Sequence, residues 1–183
     1  MTDKLDRILA RRRSGSEPFT DGKDNLGFDL DRLLAVERIR PRVECGAWRS
    51  CRYLVARALA IDVSGVRDGW AAYDLRTPSG VKVEVKSAAY LQTWYQSKPS
   101  NVLFRTPRTR AWDPDTNRLD AEAKRQADVY IFAILAHMEK STLNPCDVSQ
   151  WEFYVLPTLI LDERTRNQHS ITLPTLTRLS GGP

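Results

Sequence analysis

Between Ile61 and Trp70 the chain changes the period of its hydrophobic residues, and that change limits what it can fold into. Up to Ile61, the positions Trp48, Cys51, Val55, Ala58 and Leu59 recur at spacings of three and four. Such spacing gathers them into one stripe of a helix over residues 44–61. Arg49, Arg52 and Arg57 fall mostly off the stripe, so the helix is expected to lie with its apolar side on a sheet. From Trp70 the period is two. WAAYDLRT, a turn at Pro78, Ser79 and Gly80, and VKVEVKS read as strand, turn and strand. In the second strand Val81, Val83 and Val85 face one way and Lys82, Glu84 and Lys86 the other. In the first, Trp70, Ala72, Asp74 and Arg76 share a face opposite Ala71, Tyr73 and Leu75.

The flanks extend this alternation of element types. Residues 1–13 suit a short amphipathic helix through Leu5, Ile8 and Leu9, and SGSEPFTDGKDNLG, rich in turn formers, reads as a linker. FDLDRLLAVERI suits a helix through Phe28, Leu30, Leu33, Leu34, Val36 and Ile39 that stops before Pro41. Downstream, NVLFRT (101–106), ADVYIFAILAH (127–137) and QWEFYVLP (150–157) read as strands, the second buried on both faces. SITLPTLTRL reads as a short helix capped by Thr172 ahead of Pro174. Helix, hairpin and strands in this order predict an α/β fold with a mixed central sheet flanked by helices. With 183 residues the chain is long enough for one hydrophobic core. The expected organisation is a basic, partly flexible segment at 1–22 and a single domain at 23–183.

Composition excludes several classes. No apolar run reaches the roughly 18–20 residues that span a bilayer, so no membrane partner is expected. The N-terminal MTDKLDRILARRRSGSEPF has no apolar signal core. The three cysteines, Cys45, Cys51 and Cys146, are odd in number and irregularly spaced, which suits free thiols in the cytoplasm better than a disulfide framework. With neither CxxC nor HExxH and only two histidines, a structural zinc site is not expected. No glycine-rich phosphate loop and no serine or cysteine with a neighbouring histidine is found, which argues against a nucleotide cofactor and against acyl transfer. The net charge of +5 permits nucleic-acid binding without requiring it.

The hairpin concentrates the chemistry. Cleaving a phosphodiester is slow because an anionic phosphate repels nucleophiles and the alkoxide leaves poorly. A hard divalent cation counters both difficulties, and Mg²⁺ takes oxygen ligands, commonly one or two carboxylates with water and substrate oxygens. A nearby ammonium can orient the attacking water and stabilise negative charge in the transition state. Glu84 and Lys86, two residues apart on a strand, project from one face, and Asp74 lies across the turn within reach of a shared ion. The carbonyl of Val85 adds a further oxygen. The alternative is that Lys82, Glu84 and Lys86 form the solvated edge of a half-buried strand, with Asp74 a surface residue near the turn.

Asp74, nine residues, then Glu84, Val85 and Lys86 resembles the D-x9-ExK core of the PD-(D/E)XK, or restriction-endonuclease-like, nucleases. The helix that includes Glu44, the VEVKSA end of the hairpin and the ADVYIFAIL strand are similar to that superfamily's αβββαβ order, over about residues 44–156. The resemblance implies that Asp74 and Glu84 ligate Mg²⁺, with Mn²⁺ able to substitute, and that Lys86 assists the hydrolytic water. It also makes Glu44 a candidate ligand, alternatively a helix-start acid favoured by the helix dipole. Tyr73 stands where the superfamily is named for proline, and no subfamily motif surrounds Gln92 and Gln96.

Other residues take supporting roles in this expectation. Gln92 and Lys98, with Arg105, Arg108 and Arg110 in a Pro- and Thr-rich loop, are the candidate DNA contacts. Tyr90, Trp94 and Tyr95 are expected in the core in preference to stacking on bases. His137 is not assigned as a base. The function expected from the chain is that of a Mg²⁺-dependent DNA endonuclease, for which pairing as a homodimer would allow both strands to be cut. The competing expectation is a catalytically inactive nuclease fold that binds nucleic acid or regulates a partner through surface ion pairs.

Overall fold

The computed structural model describes residues 5–7, 14–36, 47–62, 71–165 and 168–183, with side chains at all of these except 34–36 and 47–49. Glu44, Trp70, Cys45 and most of the expected N-terminal helix lie outside the described residues, as does the start of the expected helix at 44–61. No helix among the described residues is long and apolar enough to cross a membrane.

The segment expected to be a linker is folded. Strands β1 (Pro18–Asp21) and β2 (Asp24–Asp29) pair antiparallel around Gly22, whose φ of +59° favours glycine. Phe19 at its centre is fully buried, with its ring 5.1 Å from Phe28 and 5.8 Å from Tyr53. The folded unit therefore includes residues before 23, and the expected boundary at 22 cuts through this hairpin. One buried aromatic among turn formers is enough to fold the stretch against a core, an outcome that local composition does not report. Helix α1 (Leu30–Val36) follows, its first turn capped by Asp29, whose carboxylate accepts from the amide of Arg32 at 3.1 Å.

Helix α2 (Ala47–Ala58) is buried from Ser50 through Ala56. A helix with a single apolar stripe would expose one side; this one is enclosed between the sheet and the β1–β2 hairpin with α1. Arg52, expected on the open side, is buried with the rest. Arg57 remains exposed, its guanidinium 5.2 Å from the centre of the Phe28 ring.

The central sheet has four strands. These are β3 (Leu75–Arg76), β4 (Lys82–Ala89), β8 (Val129–Leu135) and β9 (Trp151–Pro157), in that spatial order. β4 runs antiparallel to β3 and parallel to β8, and β8 antiparallel to β9, so the sheet is mixed as expected. Between β4 and β8 lie β5 (Leu103–Arg105) and a ribbon of β6 (Trp112–Asp113) and β7 (Arg118–Leu119). After β9 come α3 (Thr158–Thr165), β10 (Ser170–Thr172) and α4 (Leu173–Ser180).

Two features depart from the expected αβββαβ order. The 101–106 strand is β5, but it pairs with β10 outside the central sheet. No helix joins it to β8: residues 106–128 form loops and the β6–β7 ribbon. Pro107, Pro114 and the turn at Asp113 to Asn117 interrupt any helical period there.

The register assigns the two faces of the sheet. Glu84 lies beside Tyr130, Lys86 beside Phe132 and Ala88 beside Ile134, on the face covered by Phe104, Leu161, Ile171 and Leu176. Val83, Val85 and Ala89 face α2 together with Ile131, Ala133 and Leu135. Val81, expected to point the same way as Val83, is exposed beyond the strand end.

The long crossover from β4 to β8 is fastened to α3 by Arg125, whose side chain is fully buried. Its Nη1 donates to Asp162 Oδ1 at 2.5 Å, its Nε to the carbonyl of Thr106 at 3.0 Å, and its Nη2 to Thr165 Oγ1 and the carbonyl of Gln168, both at 3.1 Å. Arg108 shares the same Asp162 oxygen at 3.1 Å.

Cys51 and Cys146 are buried thiols. Burial pushes the Cys51 thiol up to about 12, with the nearby Asp74 charge adding to the rise and contacts to Ser87 and Arg52 opposing it. The thiolate is the reactive form, so neither cysteine should take up iodoacetamide at pH 8 in the native protein, whereas both should after denaturation. Peptide mapping checks this, and rapid native labelling of Cys51 would contradict it. The same shift has a signed consequence for stability. Above the ordinary thiol range the unfolded chain loses this proton while the folded chain keeps it, so stability falls as pH rises from there toward about 12. Tyr130, also pushed up to about 12 by burial first and the Glu84 charge second, acts in the same direction.

Candidate active site

The site is built on the β3–β4 hairpin and depends on how short β3 is. The expected strand at 70–77 is regular only at Leu75 and Arg76; residues 72–74 form a bend. In a regular strand Tyr73 and Leu75 would share a face. Here Tyr73 packs with the Phe132 cluster, while Leu75 packs with Val83 and Ile131 on the opposite face. The bend leaves the Asp74 side chain directed at the backbone edge of β4, where its Oδ2 accepts from the amide of Val85 at 3.0 Å. Asp74 is therefore not on the same face as Arg76 in a flat ladder, as the alternation predicts. It stands in for the missing strand residue opposite Val85, because the paired register of β3 ends at Leu75 with Val83.

That bond fixes the directions of the neighbouring groups. The N–H and C=O of one strand residue point to the same edge, so the carbonyl of Val85 also faces the Asp74 side. Glu84 and Lys86 flank Val85 and project from one face of β4, as their spacing predicts. Lys86 Nζ donates to Glu84 Oε1 at 2.6 Å. Both side chains are partly exposed, so solvent reaches the pair.

Two residues join the site that sequence reasoning did not place there. Arg52 approaches Asp74 Oδ1 at 3.9 Å from α2. Tyr130 lies beside Glu84 on the neighbouring strand, and the raised value of its phenol reflects burial first and Glu84 next. The signal for Arg52 is its position next to Cys51 on a helix, unreadable until the helix is known to be buried all round. The signal for Tyr130 needs the parallel register of β4 with β8. Arg52 and Lys86 balance Asp74 and Glu84 in formal charge, which lowers the cost of holding two acids close together.

The donors suit a hard cation by type: two carboxylates and a backbone carbonyl gathered around one residue, Val85. No cluster of three or more His, Cys, Asp and Glu side chains able to share a metal is formed among the described residues. The oxygen set proposed for Asp74, Glu84 and Val85 has two side chains and so differs from such a cluster. Glu44 lies outside the described residues.

The expected nucleic-acid contacts divide into two groups. Gln92 turns inward: its Nε2 donates to the carbonyl of Ala89 at 3.0 Å and its amide donates to Gln96 Oε1 at 2.7 Å. Arg108 is engaged with Asp162, and Arg110 Nη2 donates to the carbonyl of Ala121 at 2.8 Å. These three hold loops together. Lys98 and Arg105 are exposed and form no ion pair among the described residues. Of the three expected core aromatics only Tyr90 packs inward. Trp94 and Tyr95 are 59% and 65% exposed, because Gln96 takes the buried position in their loop.

Comparison of the chain with family models, curated proteins and solved structures finds no match.

Proposed function

We propose that this protein is a Mg²⁺-dependent DNA nuclease acting through Asp74, Glu84 and Lys86, on a fold related to the restriction-endonuclease-like core. The observation that carries this is the bond from the Val85 amide to Asp74, which brings an aspartate to the edge of the strand that bears Glu84 and Lys86. Support for the fold comes from a helix packed on a hairpin and a buried parallel strand beside it. The displaced β5 and the helix-free crossover would make it a divergent example.

Each residue has a definite task in this scheme. Asp74, Glu84 and the carbonyl of Val85 would hold the divalent ion, which when bound neutralises phosphate charge and makes water a better nucleophile. Lys86 would leave Glu84 and turn its ammonium to the attacking water and the phosphate oxygens, where negative charge grows. Arg52 would hold Asp74 in place. Lys98 and Arg105 would meet the phosphate backbone of the substrate.

The decisive test is cleavage of supercoiled plasmid and labelled oligonucleotides with Mg²⁺ or Mn²⁺ and with EDTA. Metal-dependent products are expected, and none at any metal concentration would end the proposal. Metal binding is separable from cleavage by thermal shift with Ca²⁺. Because Lys86 and a divalent ion compete for Glu84, Lys86→Met should enlarge the Ca²⁺-induced rise in Tm, and Glu84→Gln should abolish it. An unchanged response in Glu84→Gln would remove Glu84 from the ligand set.

A second reading draws on the charge balance itself. Arg52 with Asp74 and Lys86 with Glu84 form a neutral set that would suit an inactive nuclease fold serving as a binding or regulatory module. That reading predicts salt-sensitive DNA affinity without cleavage.

A further inference from the structure

We propose that Trp94 and Tyr95 form a stacking platform for unpaired nucleic acid, which would direct the β4 site toward single-stranded substrate. The inference rests on the nucleic-acid part of the proposed function and does not depend on its cleavage chemistry.

Two large aromatics, adjacent in sequence and both exposed, lose the free energy that burial would supply. The loop nevertheless holds them outward. Gln96, only 8% exposed, fills its interior. Its Oε1 accepts from the amide of Gln92 at 2.7 Å, and its Nε2 donates to the carbonyl of Tyr90 at 3.2 Å and to Ser100 Oγ at 3.1 Å. The amide of Ser100 closes the loop on the carbonyl of Tyr90 at 2.8 Å. From outside, Lys140 Nζ donates to the carbonyl of Trp94 at 2.7 Å and to those of Leu5 and Asp6, while the amide of Gln96 donates to the carbonyl of Leu5 at 3.0 Å. The backbone of Trp94 is thus clamped while its ring stands in solvent. Such pre-organisation suits a flat ligand that stacks.

Charge identifies the ligand. From Val85 to Trp112 the sequence contains no aspartate or glutamate, and of its five cations Lys98 and Arg105 stand exposed without an ion pair among the described residues, while Lys86 is paired with Glu84 and Arg108 with Asp162. Lys98 is exposed three residues after Tyr95, and Arg7, exposed, follows the anchored Leu5 and Asp6. Exposed aromatics on a loop whose own sequence carries cations and no acid match a polyanion with π faces, with the exposed Asp6 beside the loop as an opposing charge. Unpaired bases offer such faces; a duplex hides them within its stack. Tyr90, which opens the loop, lies about 13 Å along the chain from Lys86 at the usual rise of a strand.

The test is binding of the full chain in EDTA, measured by fluorescence anisotropy with a fluorescein-labelled oligothymidylate of about 20 nucleotides and with a duplex of equal length. Trp94→Ala and Tyr95→Ala should each weaken single-strand binding about tenfold or more, leave duplex binding within about twofold, and leave Tm unchanged because both rings are exposed. Trp94→Phe should recover most of the loss. Unchanged single-strand affinity in the double alanine variant, or an equal loss on duplex, would overturn the platform. No single-strand binding by the unmodified chain at low salt would overturn it too, and would leave the patch to a protein partner. Aromatic-dependent binding in a chain that cuts nothing would sustain the platform while ending the nuclease proposal; metal-dependent cutting without that binding would do the reverse.

Discussion

Lys86→Ala and Glu84→Gln are each expected to lower Mg²⁺-dependent DNA cleavage by on the order of 10²–10³-fold, the scale for removing one group that stabilises transition-state charge. The expectation follows from position. Glu84 and Lys86 flank Val85, whose amide is held by Asp74, so the proposed ligand and the proposed water-assisting group sit on a shared length of β4. Stability should hardly change. Both side chains are partly exposed, and an ion pair open to solvent contributes about 1 kcal/mol or less. Loss of activity without loss of Tm is therefore the signature, measured by single-turnover cleavage beside calorimetry. Asp74→Asn sharpens the comparison: the new carbonyl can still accept from the Val85 amide, so the hairpin should persist while the carboxylate charge is lost. Full activity in any of the three variants would count decisively against the assignment.

Arg125→Met is expected to have the largest effect on stability, about 3 kcal/mol or more, equivalent to a Tm lower by roughly 6–12 °C for a domain of this size. The guanidinium is wholly buried and satisfies two carbonyls, a hydroxyl and Asp162. Removing it leaves the buried Thr106 and Thr165 without this donor, which costs more than the bonds themselves contribute. Lysine should not restore the loss, since one ammonium cannot reproduce the spread of a planar fork. Asp162→Asn should also destabilise, since it leaves the buried Arg125 guanidinium without its counter-charge. Differential scanning calorimetry of the three variants decides it; Tm values for Arg125→Met within about 2 °C of the unmodified chain would refute the role given to Arg125.

The parts of this fold that follow from local periodicity were legible in the sequence. The strands at 127–137 and 150–157, the helix through Cys51 and Val55, and the shared face of Glu84 and Lys86 all arise from alternation or three-and-four spacing that the chain carries openly. What was hidden depends on distant partners. The hairpin around Phe19 is stabilised by Tyr53 from another helix, and nothing nearby in the chain announces that contact. The bend before Leu75 arises where Tyr73 and Leu75 find cores on opposite sides of the sheet, so the expected strand shortened and Asp74 turned to the edge. Arg52 and Arg125 look like solvated cations by composition; only the packing of α2 and the path of the crossover reveal them as interior groups. Trp94 and Tyr95 look like core residues by chemistry, yet a glutamine displaced them.

The parallel neighbours β4 and β8 have a consequence for how the molecule comes into being. Val83 meets Val129, 46 residues further along, and pairings this remote close late because chain entropy opposes them. Until Val129 emerges during synthesis, VKVEV has an unclaimed margin of the kind that invites aggregation. Chains cut short before that point should precipitate, and the pairing of β4 with β8 beside Val85 takes shape among the last events of maturation.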